Sequence, residues 1–335
     1  MRQVADAAGV STQTVSNLLN GRTDHMAAAT AQRIHTVIDK LGYRRNFVAR
    51  GLRSARAQAL AFLVTDASAR FLADPMIDLF LAGLGDELRD HDYGLLIQSA
   101  HPTAAFESLL APVTEARVDG AVLLLSGPPE LRAQRVERLR ALRIPTILLQ
   151  EHGVEESIQP SVHAEDRVGS RALCRHLIER GHTRIDYLSA ADSWSAIEER
   201  IAGFHEAFAE ADSQVHHGSI TLRGTYAPLD AASCARDLLT ARDRPTAMLC
   251  GNDLVALGVL KAARELGLRV PEDIAVAGFD DFEFAAAVDP PLTTVRIPGY
   301  EMGRQAARSL LRAVESGAPA ESSSFPVEVR LRGST

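Results

Sequence analysis

The sequence predicts a small all-α head followed by an α/β core of two subdomains built on parallel sheets. Three observations carry this expectation. Residues 1–41 show only helical periodicity, with apolar positions three and four apart. From residue 58 onward, short continuous apolar runs alternate with amphipathic stretches, as expected of strands buried on both faces and crossed over by helices. The 335 residues exceed one compact core and leave room for two or three domains.

The head begins MRQVADAAGVSTQTVSNLLN. Val4, Ala5 and Ala8 share one face of a first helix, and Val15, Leu18 and Leu19 share one face of a second. Gly9 between them suits the left-handed conformation that ends a helix. Ser11 is a good N-cap, and Val10 can pack on Val15 as a hydrophobic staple. Two helices joined by so tight a turn form a helix-turn-helix. Thr12, Gln13, Ser16, Asn17 and Asn20 make the polar side of the second helix. Such short hydrogen-bonding residues suit base edges and phosphates. On pattern alone the pair reads either as a DNA-binding unit or as an ordinary helical hairpin. A third helix is expected over 27–41, with Ile34, Val37, Ile38 and Leu41 in its apolar stripe and Gly42 as its stop.

Charge favours the DNA-binding reading. Residues 1–57 hold nine Arg or Lys against three Asp, a net of +6, whereas the whole chain is −7 and residues 58–335 therefore carry −13. A basic head on an acidic body suits a protein that places only its N-terminus on a polyanion. Residues 43–58, YRRNFVARGLRSARAQ, are basic and short of core formers. They read either as a plain linker or as a segment that folds only on its target.

Strands are expected at 59–65, 93–99, 119–125, 144–150, 184–190, 245–250 and 273–279, with helices between them, among others at 75–91, 167–180 and 253–266. In open α/β sheets ligands bind beyond the carboxyl ends of the strands. That rule singles out Asp66, Gln150, Asn252, Asp253, Asp280 and Asp281, although Asp281 also stands where it could cap a following helix.

Several chemistries lack their motifs. No GxGxxG follows a strand, and GxxxxGK[ST], GxSxG and HExxH are absent. His163, His176, His182, His216 and His217 show no metal-ligand spacing. Cys174, Cys234 and Cys250 are far apart, as expected of reduced, buried thiols. No cofactor, metal or catalytic set is expected. The N-terminus is polar, without the apolar stretch of a secretory signal, and no run of 18 apolar residues occurs. A cytoplasmic protein off the membrane is the expectation.

At this point the chain resembles the LacI/GalR family of bacterial transcription regulators over essentially its whole length. VADAAGVSTQTVSNLLN is similar to the family's helix-turn-helix signature and GYRRNFVARGL to its hinge. HLIERGHTRIDYL, ERIAGFHEAF, PTAMLCGNDLVALGVLKAARELGLRVPEDIAVAGFDD and PPLTTVR are similar to successive blocks of its effector-binding core. The resemblance implies a helix-turn-helix domain at 1–45, a hinge helix at 46–57 and a periplasmic-binding-protein-like core at 58–335. The chain would cross three times between subdomains, one of 58–155 with 297–322 and one of 156–296 with 323–335, the latter including the last strand PVEVRLR.

By position, the resemblance implies base contacts from Thr12, Gln13 and Asn17 and phosphate contacts from Ser11, Ser16, Asn20, Thr30, Tyr43 and Asn46. Many members carry Arg where Asn17 stands, which puts a guanine contact there in doubt. Ser11 and Thr30 read equally as a cap and a helix surface. Leu52 matches the hinge leucine that wedges between base pairs in the minor groove; a packing role is the alternative. In the core, Arg200, Asn252 and Asp280 match the polar residues that hold the effector, a mix suited to the vicinal hydroxyls of a sugar. Phe71, Trp194 and Tyr226 are candidates to stack on a sugar face, with Asp74 and Gln150 as further cleft candidates. Trp194, the single tryptophan, reads equally as a core aromatic.

The sequence departs from the family pattern in three places. The chain starts inside the first helix without the usual lead and N-capping residue, Ala27 replaces a Ser or Thr cap, and the GRTDHM turn at 21–26 is one residue longer. These bear on head stability rather than identity. The expected function is a sequence-specific regulator, a repressor first, controlled by a small sugar or sugar-derived effector. Its expected partners are a near-palindromic double-stranded operator and a second copy of the chain. VEVRLRGST carries no heptads, so a homodimer and no larger assembly is expected. A sugar-binding transport protein and an α/β enzyme are the alternatives; the first conflicts with the basic head and missing signal, the second with the missing catalytic motifs.

Overall fold

The computed structural model describes residues 1–19, 21–24, 26–43, 56–66, 71–155, 159–211 and 216–335, the first two residues of the last stretch by their backbone only. Asn20, Asn46 and Leu52, with most of the expected hinge, lie outside the described residues. The chain divides into two compact units, Met1–Ala57 and Gln58–Thr335.

The head contains α1 (Arg2–Ala8), α2 (Thr12–Leu19) and α3 (Ala28–Lys40). Val4, Ala5, Ala8, Val15 and Ile34 are its buried centre, with Leu18, Leu19, Val37, Ile38 and Tyr43 packed around them. The i, i+3/i+4 spacing of these residues turns one stripe of each helix inward. Ala27 stands at the N-cap of α3 and makes no side-chain capping bond.

The core opens with β1 (Ala59–Thr65), a 3-10 turn at Phe71–Ala73, α4 (Pro75–Arg89), β2 (Gly94–Ala100), α5 (Phe106–Thr114), β3 (Gly120–Leu124), α6 (Pro129–Ala141), β4 (Thr146–Leu149) and β5 (Ser161–Ala164). It continues through α7 (Asp166–Glu179), β6 (Arg184–Ser189), α8 (Ser195–Ala209), β7 (His216–Leu222), α9 (Pro228–Leu239), β8 (Ala247–Cys250), α10 (Asp253–Glu265) and β9 (Ala275–Ala277). After a 3-10 turn at Glu283–Ala286 come β10 (Thr294–Arg296), α11 (Gly299–Ser316), β11 (Ser323–Phe325) and β12 (Glu328–Arg330).

Six strands form a parallel sheet in the order β11-β5-β4-β3-β1-β2, and four form a second in the order β7-β6-β8-β9. Strand alternation sends Leu60, Phe62 and Val64 of β1 to the side of α4 and α11, and Ala61 and Leu63 to the side of α5 and α6. Both faces are covered, which is why β1 reads as an unbroken apolar run. In the second sheet, α7 and α8 cover one face and α9 and α10 the other.

The subdomain boundaries differ from the expectation. The first subdomain does not end at 155: β5 pairs with β4, with Leu148 opposite Ser161, so the first crossing follows Ala164. Nor does the second resume at 323, because β11 pairs with β5 in the first sheet. Both strands are short and polar, SVHA and SSF, and carry no apolar run to announce them. The last segment forms β12, which pairs antiparallel with β10 as a two-stranded ribbon outside the four-stranded sheet.

Helix pairs approach closely where glycine permits. A Cβ on Gly83 of α4 would sit 2.0 Å from the Tyr300 carbonyl oxygen of α11, whereas one on Gly85 would meet nothing within 4 Å. Gly83→Ala should therefore force the helices apart and cost about 1–3 kcal/mol or more. Gly85→Ala should leave stability unchanged or slightly raised, since Ala is the better helix former. Thermal unfolding of the two variants side by side checks this pair of outcomes.

Candidate functional site

In the head, Gly9 ends α1 with φ 61°. The chain then turns so that Ser11 Oγ accepts a hydrogen bond from Thr14 N at 3.0 Å, capping α2. Ser11 thus acts as the cap, with its hydroxyl engaged inside the head. Thr12 and Gln13 are exposed and Ser16 and Asn17 half-buried on the same short helix. Gln13 Nε2 donates to Asn17 Oδ1 at 3.0 Å, so two of the expected base readers brace each other one turn apart. A surface groove brings Asn17 and Thr30 together with Thr14, Arg22 and Asp24. Tyr43 is half-buried against the head's apolar centre.

In the core, a cleft of about 590 Å³ opens at the carboxyl ends of the strands of both sheets. Asp74, Gln150, Trp194, Arg200, Tyr226, Asn252 and Asp280 line it. Phe71 does not; it sits on the 3-10 turn before Asp74 and packs on the main apolar cluster. Met76, Ile77, Phe80, Leu124, Ala196 and Ile197 supply an apolar lining that the sequence reading missed. Trp194 stands at the start of α8, half-buried, both against the main cluster and in the cleft wall.

Arg200 of α8 organises the site. Its Nε donates to Asp166 Oδ1 at 2.8 Å and its Nη1 to the Gly251 carbonyl at 2.6 Å. Its Nη2 lies 2.9 Å from Asp280 Oδ1, and its plane covers the Phe279 ring at 3.9 Å. Burial opposes its charge, but Asp280 and Asp166 outweigh that and raise its pKa. The same exchange leaves the carboxylates unequal. Burial pushes Asp280 well up despite Arg200. Burial also works on Asp166, but Arg200 and His152 hold it below its ordinary value. Asp253, fully buried, is pushed up to about 7 by burial, against hydrogen bonds from Thr294 Oγ1 at 2.6 Å and Phe282 N at 2.9 Å.

The other polar lining groups are partly committed to the protein. Asn252 Oδ1 caps α10 by accepting from Val255 N at 2.9 Å. Asp74 caps α4 by accepting from Met76 N at 2.8 Å. Gln150 Oε1 accepts from Ala164 N at 2.9 Å. By contrast Tyr187 Oη is buried without a hydrogen-bond partner among the described residues, Tyr226 Oη is buried beside Ser189 Oγ, and Asp280 Oδ1 meets Arg200 only as an ion pair. Asp281 does not cap the 3-10 turn after it: its Oδ1 accepts from Arg332 Nη2 at 2.6 Å, tying down the C-terminal segment.

A second ion cluster joins the two subdomains beside the cleft, and no motif signalled it. Arg132 of α6 is 4% exposed; its Nε meets Glu151 Oε1 at 3.0 Å. Its two terminal nitrogens fork onto Glu198 of α8, at 3.0 and 2.6 Å. Gly127 N donates to the Ser193 carbonyl at 2.8 Å and His152 N to Ser195 Oγ at 2.9 Å, adding further links across the same seam.

Comparison with known proteins gives this geometry a context. Residues 1–46 match the profile of bacterial regulatory proteins, lacI family, and residues 174–335 that of a periplasmic binding protein-like domain. The HTH-type transcriptional regulator MalR of Streptomyces coelicolor is 33% identical, with 100% of this chain and 96% of that protein covered. The HTH-type transcriptional repressor PurR of Vibrio atlanticus is 31% identical over 94% of this chain and 92% of its own length. Among solved structures, a lac repressor dimer bound to operator and an anti-inducer superimposes with TM-score 0.82 at 25% identity, covering 99% of this chain and 97% of that one. A complex of the transcriptional regulator CelR with cellobiose superimposes with TM-score 0.72 at 27% identity, covering 99% and 98%.

The Arg132 cluster should respond unequally to its two sides. Arg132→Ala strands the buried Glu151 carboxylate and should cost the core about 3–5 kcal/mol. Glu198 has a side chain 38% exposed. Glu198→Gln should therefore cost less than about 1 kcal/mol, as exposed pairs do. Urea unfolding of both variants checks the asymmetry; equal losses would show that the cluster is not buried as described.

Proposed function

The chain belongs to the lacI family of bacterial regulatory proteins and is a DNA-binding transcriptional regulator, and we propose that it is a repressor whose operator affinity is set by a small sugar or sugar-derived effector. The observation that carries the effector reading is the convergence of Trp194, Arg200, Tyr226, Asn252 and Asp280 on one cleft with an apolar lining. A sugar needs both halves of that lining, donors and acceptors for its hydroxyls and an apolar wall for its ring face. The likeness to the CelR–cellobiose complex supports the same reading.

On the DNA side, Thr12, Gln13 and Asn17 read base edges, while Ser16, Asn20, Thr30, Tyr43 and Asn46 hold phosphates and Ser11 caps the helix that presents them. Leu52 wedges into the minor groove. One head reads too few base pairs to find a single site, so two heads on a two-fold axis bind a near-palindromic operator. The regulator thus works as a homodimer, in the cytoplasm where its DNA lies, without a cofactor and without enzymatic turnover. Among the described residues no helix is long and apolar enough to cross a membrane.

Two variants separate the two activities. Gln13→Ala should lose about 1–3 kcal/mol of discrimination at one operator position and keep effector binding. Asn252→Asp retains a capping oxygen for α10 but replaces the amide donor, so it should fold, bind operator and lose the effector response. Operator titrations at one stated salt concentration, with and without effector, check both, because phosphate contacts make affinity salt-dependent. An intact effector response in Asn252→Asp would overturn the cleft reading. Sedimentation equilibrium should give a dimer with and without operator; a stable tetramer, or a monomer on DNA, would overturn the assembly.

A further inference from the structure

We infer that the cleft prefers a polyhydroxy ligand bearing a protonated amine to its neutral counterpart and rejects the phosphorylated one, with Asp74 setting the preference. This rests on the reading of the core as a carbohydrate-effector site and specifies the charge of the ligand it takes.

The cleft is short of positive charge. Among its described lining residues Arg200 is the sole cation, against the carboxylates of Asp74 and Asp280. Two more carboxylates, Asp166 and Asp253, also feel the Arg200 charge from behind the wall. One guanidinium therefore faces four acids. Two of its nitrogens are committed by hydrogen bonds, Nε to Asp166 and Nη1 to the Gly251 carbonyl; Nη2 lies 2.9 Å from Asp280 Oδ1, and Phe279 stands against its plane. A phosphate is held best by a fork of two parallel N–H groups. The single charge of Arg200 is already shared between Asp166 and Asp280, so a phosphate here would meet two lining carboxylates without a matching cation.

Asp74 is the lining acid with no cation in contact, although the Arg200 charge still reaches it. No Lys, Arg or His nitrogen of the described residues lies within 4.0 Å of it, and its partners are backbone N–H groups at the start of α4. Burial outweighs those N–H groups and pushes its carboxyl up, as expected of a charge awaiting a counterion. Another part of the lining supplies a group of another kind. Tyr226 Oη is buried beside Ser189 Oγ. It is a neutral hydroxyl, suited to the hydroxyls of the ligand and not to a charge on it. An ammonium facing Asp74 with hydroxyls facing Tyr226 would satisfy both groups at once.

The test uses the full-length protein and three matched sets of probes at constant ionic strength. Each set holds the free sugar, the 2-amino sugar and the 6-phosphate, in the gluco, galacto and manno series. Binding is read by calorimetry and by the rise in melting temperature. In any series that binds, the amino sugar should bind more tightly than the neutral one by about fivefold, the effect of one extra exposed charge pair. The phosphate should bind more weakly than either. Asp74→Asn keeps an equally good N-cap for α4, so it should fold and lose the amine preference, the ratio of amino-sugar to neutral-sugar affinity falling to about one. A phosphate that binds as well as the neutral sugar, an amine that gains nothing, or a preference that survives Asp74→Asn would each overturn the inference while leaving the carbohydrate reading intact. If no member of any series binds, the inference falls; the carbohydrate reading falls with it only if cellobiose, run beside them, also fails to bind.

Discussion

A single guanidinium, that of Arg200, fixes the geometry on which the core's site depends. It enters from α8 and reaches three otherwise separate places in the chain: Asp166 at the start of α7, Gly251 beyond β8 and Asp280 beyond β9. Those are the positions where the second subdomain meets the cleft. Asp166 is also touched from the other side, by His152 Nε2 at 3.2 Å and Gln150 Nε2 at 3.4 Å. It follows directly on β5, where the chain first crosses between subdomains. The ion pair thus sits at the seam rather than inside either half. Taking such charges out of water is costly, and good geometry must offset it. Arg200 and Asp166 each have several partners, which over-determine their positions, whereas the Asp280 carboxylate is held by the Arg200 ion pair.

The backbone around this cluster is correspondingly strained. Gln150, Asp280 and Asp281 have φ of 53°, 107° and 57°, in the region that side chains rarely adopt. Neighbours hold each of them. Gln150 is bonded at its backbone N to Val162 and at its side chain to Ala164 N. Asp280 N donates to Val295 O at 2.7 Å, and Arg332 fastens Asp281. Strain of this kind persists only where surrounding bonds over-determine it, and it marks functional positions more often than ordinary loops. Two of the three residues line the cleft.

What was legible in the sequence follows from burial. Strands covered on both faces, such as 59–65 and 119–125, must be apolar throughout, and so they announce themselves. Edge and crossing strands need only backbone pairing. SVHA of β5 and SSF of β11 therefore carry no signal, and the subdomain boundaries that the family resemblance implied fell short of β5 and before β11. The site was legible where topology acts: the rule that ligands bind beyond strand ends selected Gln150, Asn252 and Asp280. The same rule could not separate Asp281, which anchors the C-terminal segment, from Asp280, its neighbour in the wall. Nor could sequence show that Asn252 and Asp74 cap helices while lining the cleft. Arg132, Tyr187 and Ser189 were missed because their partners lie far off in sequence and no spacing links them.

The Arg132 cluster sets what a ligand must do to act through the cleft. Opening the two subdomains would separate Arg132 from Glu198 but not from Glu151, since Arg132 and Glu151 belong to the same half. The buried pair would survive, and Glu198, already partly exposed, would be resolvated at little cost. The cross-seam link is therefore weak enough to break and specific enough to reform. A two-state element biased by only a few kcal/mol is what an effector of ordinary affinity can shift, provided it binds one state better than the other. Trp194 adjoins that link. It lies one residue from Ser193, which bonds Glu198 Oε1 at 2.8 Å, and its backbone bridges Ser126 of the opposite half. Its carbonyl also accepts from Glu198 N at 3.1 Å within its own half, so the cross-seam bridge helps to position Trp194 without being all that holds it.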